Sequence, residues 1–130
     1  MPSQQYLNPN TMAPSRGYTQ VVKAGNTVYI AGQVSAAPDG SVVGKGDSEA
    51  QARQIWRNIE AAVKAAGGAG LQNVVKTTTY VTSIDHAGGV RQVRDELFRS
   101  SNPPTSTLLV VSALANPDYM IEIEAIAVVD

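Results

Sequence analysis

The chain contains no cysteine and one histidine, His86. Without a thiol there is no disulfide framework, no thiolate nucleophile and no sulfur-ligated metal site, and a single imidazole excludes a histidine-rich metal site. No metal or cofactor is expected. Charge of one sign is also missing: ten Lys and Arg face eleven Asp and Glu, a net charge of −1. A nucleic-acid partner, which calls for a basic patch or stripe, is therefore not expected. No apolar run approaches the ~20 residues that span a bilayer. The first residues, MPSQQYLNPN, carry neither a basic nor an apolar leader segment. The expectation is no membrane association and a cytoplasmic location.

What is present describes an ordinary globular chain, 43% hydrophobic and 16% charged. At 130 residues it is long enough for one core and too short for two, so one domain over residues 1–130 is expected.

The last quarter, from Asn102 to Asp130, organises the reading. Pro103 and Pro104 stop a preceding helix, Ser106 to Ser112 reads as a strand, Asn116-Pro117-Asp118 as a turn, and Tyr119 to Val129 as a long strand. Alternation puts Tyr119, Ile121, Ile123, Ala125, Ala127 and Val129 on one side and Met120, Glu122, Glu124, Ile126 and Val128 on the other. Two carboxylates thus interrupt an apolar row. Either that face is solvated, or one glutamate looks into a cleft where a carboxylate has a chemical task.

Upstream, Met1 to Arg16 reads as an irregular arm rich in proline. Tyr18 to Lys23 and Thr27 to Ala31 form a hairpin about Ala24-Gly25-Asn26, with Gly25 and Asn26 expected at positive φ. Ala37-Pro38-Asp39-Gly40 is a turn before a possible short strand at Ser41 to Val43. A helix follows, with Ala52, Ile55, Trp56, Ile59, Ala62, Val63 and Ala66 on one face, a capping box of Ser48 with Gln51, and Gly67-Gly68 as its stop. Trp56 reads as a packing residue. Val74 to Thr82 is a strand, and a second helix capped by Ser83 or Asp85 runs to about Arg99, with Val90, Val93, Leu97 and Phe98 facing in. His86, at its start, reads as a surface residue with no assigned role. Two helices cannot cover both faces of a sheet of five to six strands. They are expected on one face, with the open face hidden by self-association into a homo-oligomer.

Val28-Tyr29-Ile30-Ala31-Gly32-Gln33, Gln51-Ala52-Arg53-Gln54 with Asn58-Ile59, Val74-Val75-Lys76-Thr77-Thr78, and Ile121-Glu122-Ile123-Glu124-Ala125-Ile126-Ala127 occur in an order that resembles the RidA/YjgF family, the reactive intermediate/imine deaminases formerly labelled endoribonuclease L-PSP. The resemblance implies an α+β, chorismate-mutase-like fold with a mixed sheet, a homotrimer, and small-molecule clefts at the subunit interfaces. It also implies that Glu122 is the catalytic carboxylate that positions water against an imine, that Tyr18 lies near the cleft, and that an arginine should bind the substrate carboxylate. Thr105 stands where that arginine is expected. A neutral hydroxyl cannot replace a planar, charged, bidentate fork. Arg16 and Arg91 are either compensating cations or solvated surface residues.

The resulting expectation is a protein that hydrolyses an imine, enamine or related metabolite other than the usual 2-iminocarboxylates. Glu122 would move protons, and Tyr18, Thr105 and the backbone at Ala31 and Gly32 would bind the ligand. The alternative is a ligand-binding or chaperone-like trimer that has lost deaminase activity. The older ribonuclease label fits poorly, since the chain has neither a histidine pair nor a basic balance.

Overall fold

The strand β6, Ile121–Val128, lies inside the sheet with a partner on each side, because every second residue is apolar and can be buried without an unpaired charge. Ile121, Ile123 and Ala127 are fully buried and Ala125 nearly so. The computed structural model describes residues 4–130. Its other strands are β1 (Gln4–Leu7), β2 (Val21–Ala24), β3 (Thr27–Gln33), β4 (Val74–Val81) and β5 (Thr105–Val110). The two α-helices among the described residues are α1 (Ser48–Ala65) and α2 (Ala87–Leu97), each entered or preceded by short irregular turns.

The sheet order is β1-β2-β3-β6-β4-β5. All pairs are antiparallel except β4 with β5, which α2 connects as a crossover. Helix α1 packs on β3 and β6, and α2 packs beside α1. The fold is thus α+β, with both helices on one face of a mixed sheet. Ile55, Ile59, Val63, Val90 and Val93 from the helices meet Val21, Val28, Val81, Ile121 and Ile123 from the strands in one core.

Several local expectations are corrected. Gln4–Leu7 is not irregular: it pairs with β2, and that ladder supplies the regularity its sequence lacks, while residues 1–3 of the expected arm lie outside the described residues. Gly25 takes φ +62°, but Asn26 does not share the left-handed conformation, so one glycine suffices for the hairpin. The segment after Gly40 makes only an isolated bridge, Ala36 with Val42. The cap of α1 is Asp47, whose carboxylate accepts from the Ala50 amide at 3.0 Å. Asp is a strong N-cap and its charge favours the positive end of the helix, which displaces the Ser48–Gln51 box. Leu97 is 41% exposed rather than inward. Phe98, one residue beyond the helix, takes the buried place and meets Trp56 edge-on with centroids 5.3 Å apart.

Candidate functional site

On the face of the sheet away from the helices, β6 presents Glu122 and Glu124 to strand β4, with Glu122 opposite Tyr80 and Glu124 opposite Thr78. The Tyr80 hydroxyl donates to Glu124 Oε1. That bond favours the protonated phenol and holds the Tyr80 pKa above its usual value. Glu122 is half-buried and receives no hydrogen bond from the described side chains. Burial, followed by the neighbouring charge of Glu124, pushes its pKa up.

Across β6, β3 gains one residue. Ile30 pairs with Ala125 and Gln33 with Ile123, so Ala31 and Gly32 form a bulge in the ladder. The bulge lets the Glu122 side chain lie against Gly32: a Cβ built there would stand 2.8 Å from Glu122 Cδ and closer to Oε2. Glycine is needed for that approach. Beneath the bulge, Gln33 Nε2 donates to Gln20 Oε1 at 2.8 Å and to the Ala31 carbonyl at 3.0 Å, while Gln20 Nε2 donates to the Ala13 carbonyl. Both amides are buried, and this network was not foreseen, because polar residues at strand ends read as solvated until their partners are known. Gly32 also lines a cleft of about 280 Å³ with Tyr18, Gln20, Gln33, Asn58 and Tyr119.

The expected site residues divide into two groups. Tyr18, Ala31, Gly32 and Glu122 gather about the bulge and the adjoining cleft. Tyr18 is 55% exposed, leaving its ring free to line a ligand. The Ala31 amide is already used, donating to the Gln20 carbonyl at 2.9 Å. Thr105, on edge strand β5, is in register with Lys76, whereas Glu122 is in register with Tyr80. Four residues of β4 separate the two levels, about 13 Å at the rise of a strand. Within one chain Thr105 and Glu122 cannot touch the same small ligand. The Thr105 hydroxyl instead donates to the Val75 carbonyl at 3.2 Å.

Arg16 is exposed and makes no ion pair among the described residues. Arg91 is exposed on α2, in the helix layer, and is not brought to the same chain's Glu122. The cation that does stand beside Thr105 is Lys76, its register partner and an exposed residue of the open face. Alternation along β4 carried that signal, since Lys76, Thr78 and Tyr80 share a side. Among the described residues no three of His, Asp and Glu are grouped as metal ligands, and no helix is long and apolar enough to cross a membrane.

The family model described as Endoribonuclease L-PSP matches residues 8–129. A RutC family protein of Pyrococcus horikoshii is 39% identical over 118 residues, 91% of each chain. A protein of Mus musculus named 2-iminobutanoate/2-iminopropanoate deaminase is 35% identical over 111 residues, covering 85% of this chain and 80% of its own. Among solved structures, RidA from the Antarctic bacterium Psychrobacter superposes with a TM-score of 0.88 at 31% identity, over 96% of this chain and 99% of that one.

Proposed function

Because the chain belongs to the endoribonuclease L-PSP family, the RidA/YjgF proteins, we propose that it hydrolyses a small imine or enamine without a carboxylate beside the reacting carbon, in a cleft completed by a second copy. Relatives named as 2-imino acid deaminases support the reaction type. Glu122 supports the chemistry. As water adds to the imine carbon, Glu122 takes a proton from it and the C=N electron pair moves to nitrogen. Return of that proton to the nitrogen gives a carbinolamine, and transfer of its hydroxyl proton to the nitrogen, again through Glu122, forms the C=O bond as the C–N bond breaks, releasing ammonia and a ketone or aldehyde. A carboxylate whose pKa is raised is a better base for this task than a solvated one.

The homotrimer belongs to the same proposal. The open face exposes Tyr29, Leu109 and Val128, each about half or more of the way to full exposure, beside two glutamates. An apolar face of that kind favours burial against a copy. Such packing could bring the Thr105 end of one chain to the Glu122 end of another, which one chain alone does not do.

The observation that carries the substrate class is Thr105. A ligand carboxylate entering the cleft would lose water without a bidentate cation at that position. The test is ammonia release from imines generated in place, with a neutral imine beside 2-iminopropanoate. The expected result is turnover of the neutral imine, its loss in Glu122→Gln, and at least tenfold faster turnover of 2-iminopropanoate in Thr105→Arg. Wild-type preference for 2-iminopropanoate would overturn the substrate class. No turnover of any imine, with the neutral compound still bound, would favour the second reading, a ligand-binding trimer, for which Thr105 is also the supporting residue.

A further inference from the structure

The cleft beside Gly32 holds an acceptor that no described protein group uses. Gln33, which lines it, is only 5% exposed, and both hydrogens of its amide are engaged: Nε2 donates to Gln20 Oε1 at 2.8 Å and to the Ala31 carbonyl at 3.0 Å. A backbone carbonyl can only accept, so the amide nitrogen must face Ala31, and Oε1 is fixed in the remaining place. Gln33 Oε1 receives no hydrogen bond among the described residues. It is not sealed in, because the unpaired side-chain polar atoms cut off from solvent there are Glu49 Oε1 and Trp56 Nε1. A nearly buried acceptor in a cleft wall is costly until water or a ligand supplies a donor.

The rest of the cleft narrows the chemistry of that donor. None of the residues lining it carries a charge, so an ion entering it would shed water without an opposite charge in return. Asn58 is engaged on both sides of its amide: Nδ2 donates to the Val34 and Ala36 carbonyls at 3.1 and 3.0 Å, and Oδ1 accepts from Gln54. Tyr119 differs. Its hydroxyl has no partner among the described residues, and burial, followed by the charge of Asp118, holds its pKa above the usual value, so the phenol is a donor at neutral pH. One fixed acceptor and one phenol donor match an uncharged group with an N–H and a C=O. Gly32, in the same lining, abuts Glu122 and so joins this wall to the proposed reaction centre.

We propose that the cleft binds a primary carboxamide, its N–H donating to Gln33 Oε1 and its C=O accepting from the Tyr119 phenol. The inference rests on the function proposed above, with the carboxamide as the end of the imine remote from Glu122. The probes are acetoacetamide, the ketone that a 3-imino amide would leave on hydrolysis, N,N-dimethylacetoacetamide, which has no N–H, and acetoacetate, which is charged. Full-length protein carrying carbon-13 at the glutamine side-chain carbonyls is titrated with each, and the assigned Gln33 resonance is followed. The expected result is a saturable shift with acetoacetamide, which should bind about 3- to 10-fold more tightly than the dimethyl amide, the net worth of one neutral hydrogen bond, and more tightly than acetoacetate as well. Gln33→Met, which keeps the length of the side chain, should bring the two amides to equal affinity. Tyr119→Phe should weaken both amides alike, since both keep the carbonyl.

A Gln33 resonance unmoved by acetoacetamide up to its solubility limit would overturn the proposal. So would equal or tighter binding of acetoacetate or the dimethyl amide to the wild-type protein, a result that needs no variant should Gln33→Met fail to fold. Binding at Gln33 without hydrolysis of any imine would sink the proposed reaction and support this site. Hydrolysis of neutral imines with no preference for a carboxamide would do the opposite.

Discussion

Glu122 keeps its proton to higher pH than a solvated glutamate because burial removes part of its hydration and a second carboxylate stands two residues along the same face. Carbon-13 NMR of the side-chain carboxyls should therefore find Glu122 titrating above the ordinary value of 4.5. The consequence for stability has a definite sign. Between 4.5 and the raised folded pKa, the folded chain holds this proton and the unfolded chain does not, so stability falls as pH rises through that window. Glu122→Gln should abolish that part of the pH dependence in urea titrations, and a Glu122 midpoint at or below 4.5 would refute the assignment. Gly32 makes a second residue-scale prediction. It is not among the positive-φ glycines, so alanine fits the backbone, but its Cβ would occupy the place of the Glu122 carboxyl. Gly32→Ala should lower turnover by about tenfold or more, since small misplacements of a catalytic group are costly, with melting temperature little changed. Full turnover would remove the Glu122 carboxyl in this position from the proposed mechanism.

Strand β6 enters the sheet at a fixed height because a helix side chain holds the residues just before it. Gln51, fully buried on α1, donates to the Asp118 carbonyl at 2.9 Å and the Gly44 carbonyl at 3.2 Å, and its Oε1 accepts from the Met120 amide at 2.9 Å. Gln51→Leu leaves those backbone groups without partners and should cost about 2–4 kcal/mol in denaturant unfolding, whereas exposed Arg91→Ala should cost little. A Gln51→Leu protein of wild-type stability would mean that water replaces the amide. The same residue shows what a sequence can disclose about an element. Ser48 followed by Gln51 has the form of a capping box, yet Gln51 serves a strand far along the chain, and only tertiary contact distinguishes the two uses. The alternation of β6 and the apolar face of α1 were legible because each is a local period. β1 was not, since its regularity comes from pairing with β2. The bulge at Ala31 and Gly32 was equally hidden, being a property of the β3–β6 register. Thr105 and Glu122 could be named from the family pattern, but their separation follows from the positions of Lys76 and Tyr80 in the ladder.

An uncovered sheet face, with Glu122 and Thr105 at different levels along it, makes the proposed shared site testable on the whole molecule. Tyr6, Tyr29, Leu109 and Val128 remain 45–68% exposed on the described chain, an arrangement that favours burial against copies. In a cyclic trimer, each site would take Glu122 from one subunit and the Thr105 edge, with Lys76, from the next. A subunit carrying Glu122→Gln and one carrying the bulky Thr105→Trp would each be inactive alone, because every site would lack one half. Mixed trimers behave differently. Around a ring containing both variants there is one junction at which an intact Glu122 meets an intact Thr105, so each mixed trimer recovers one site in three. Equal mixing through unfolding and refolding should make three-quarters of the trimers mixed and restore about a quarter of wild-type imine turnover. Sedimentation should find the refolded mixture trimeric. If both halves acted within one chain, mixing would restore nothing, and the distance between the levels of Thr105 and Glu122 would then exclude Thr105 from the site.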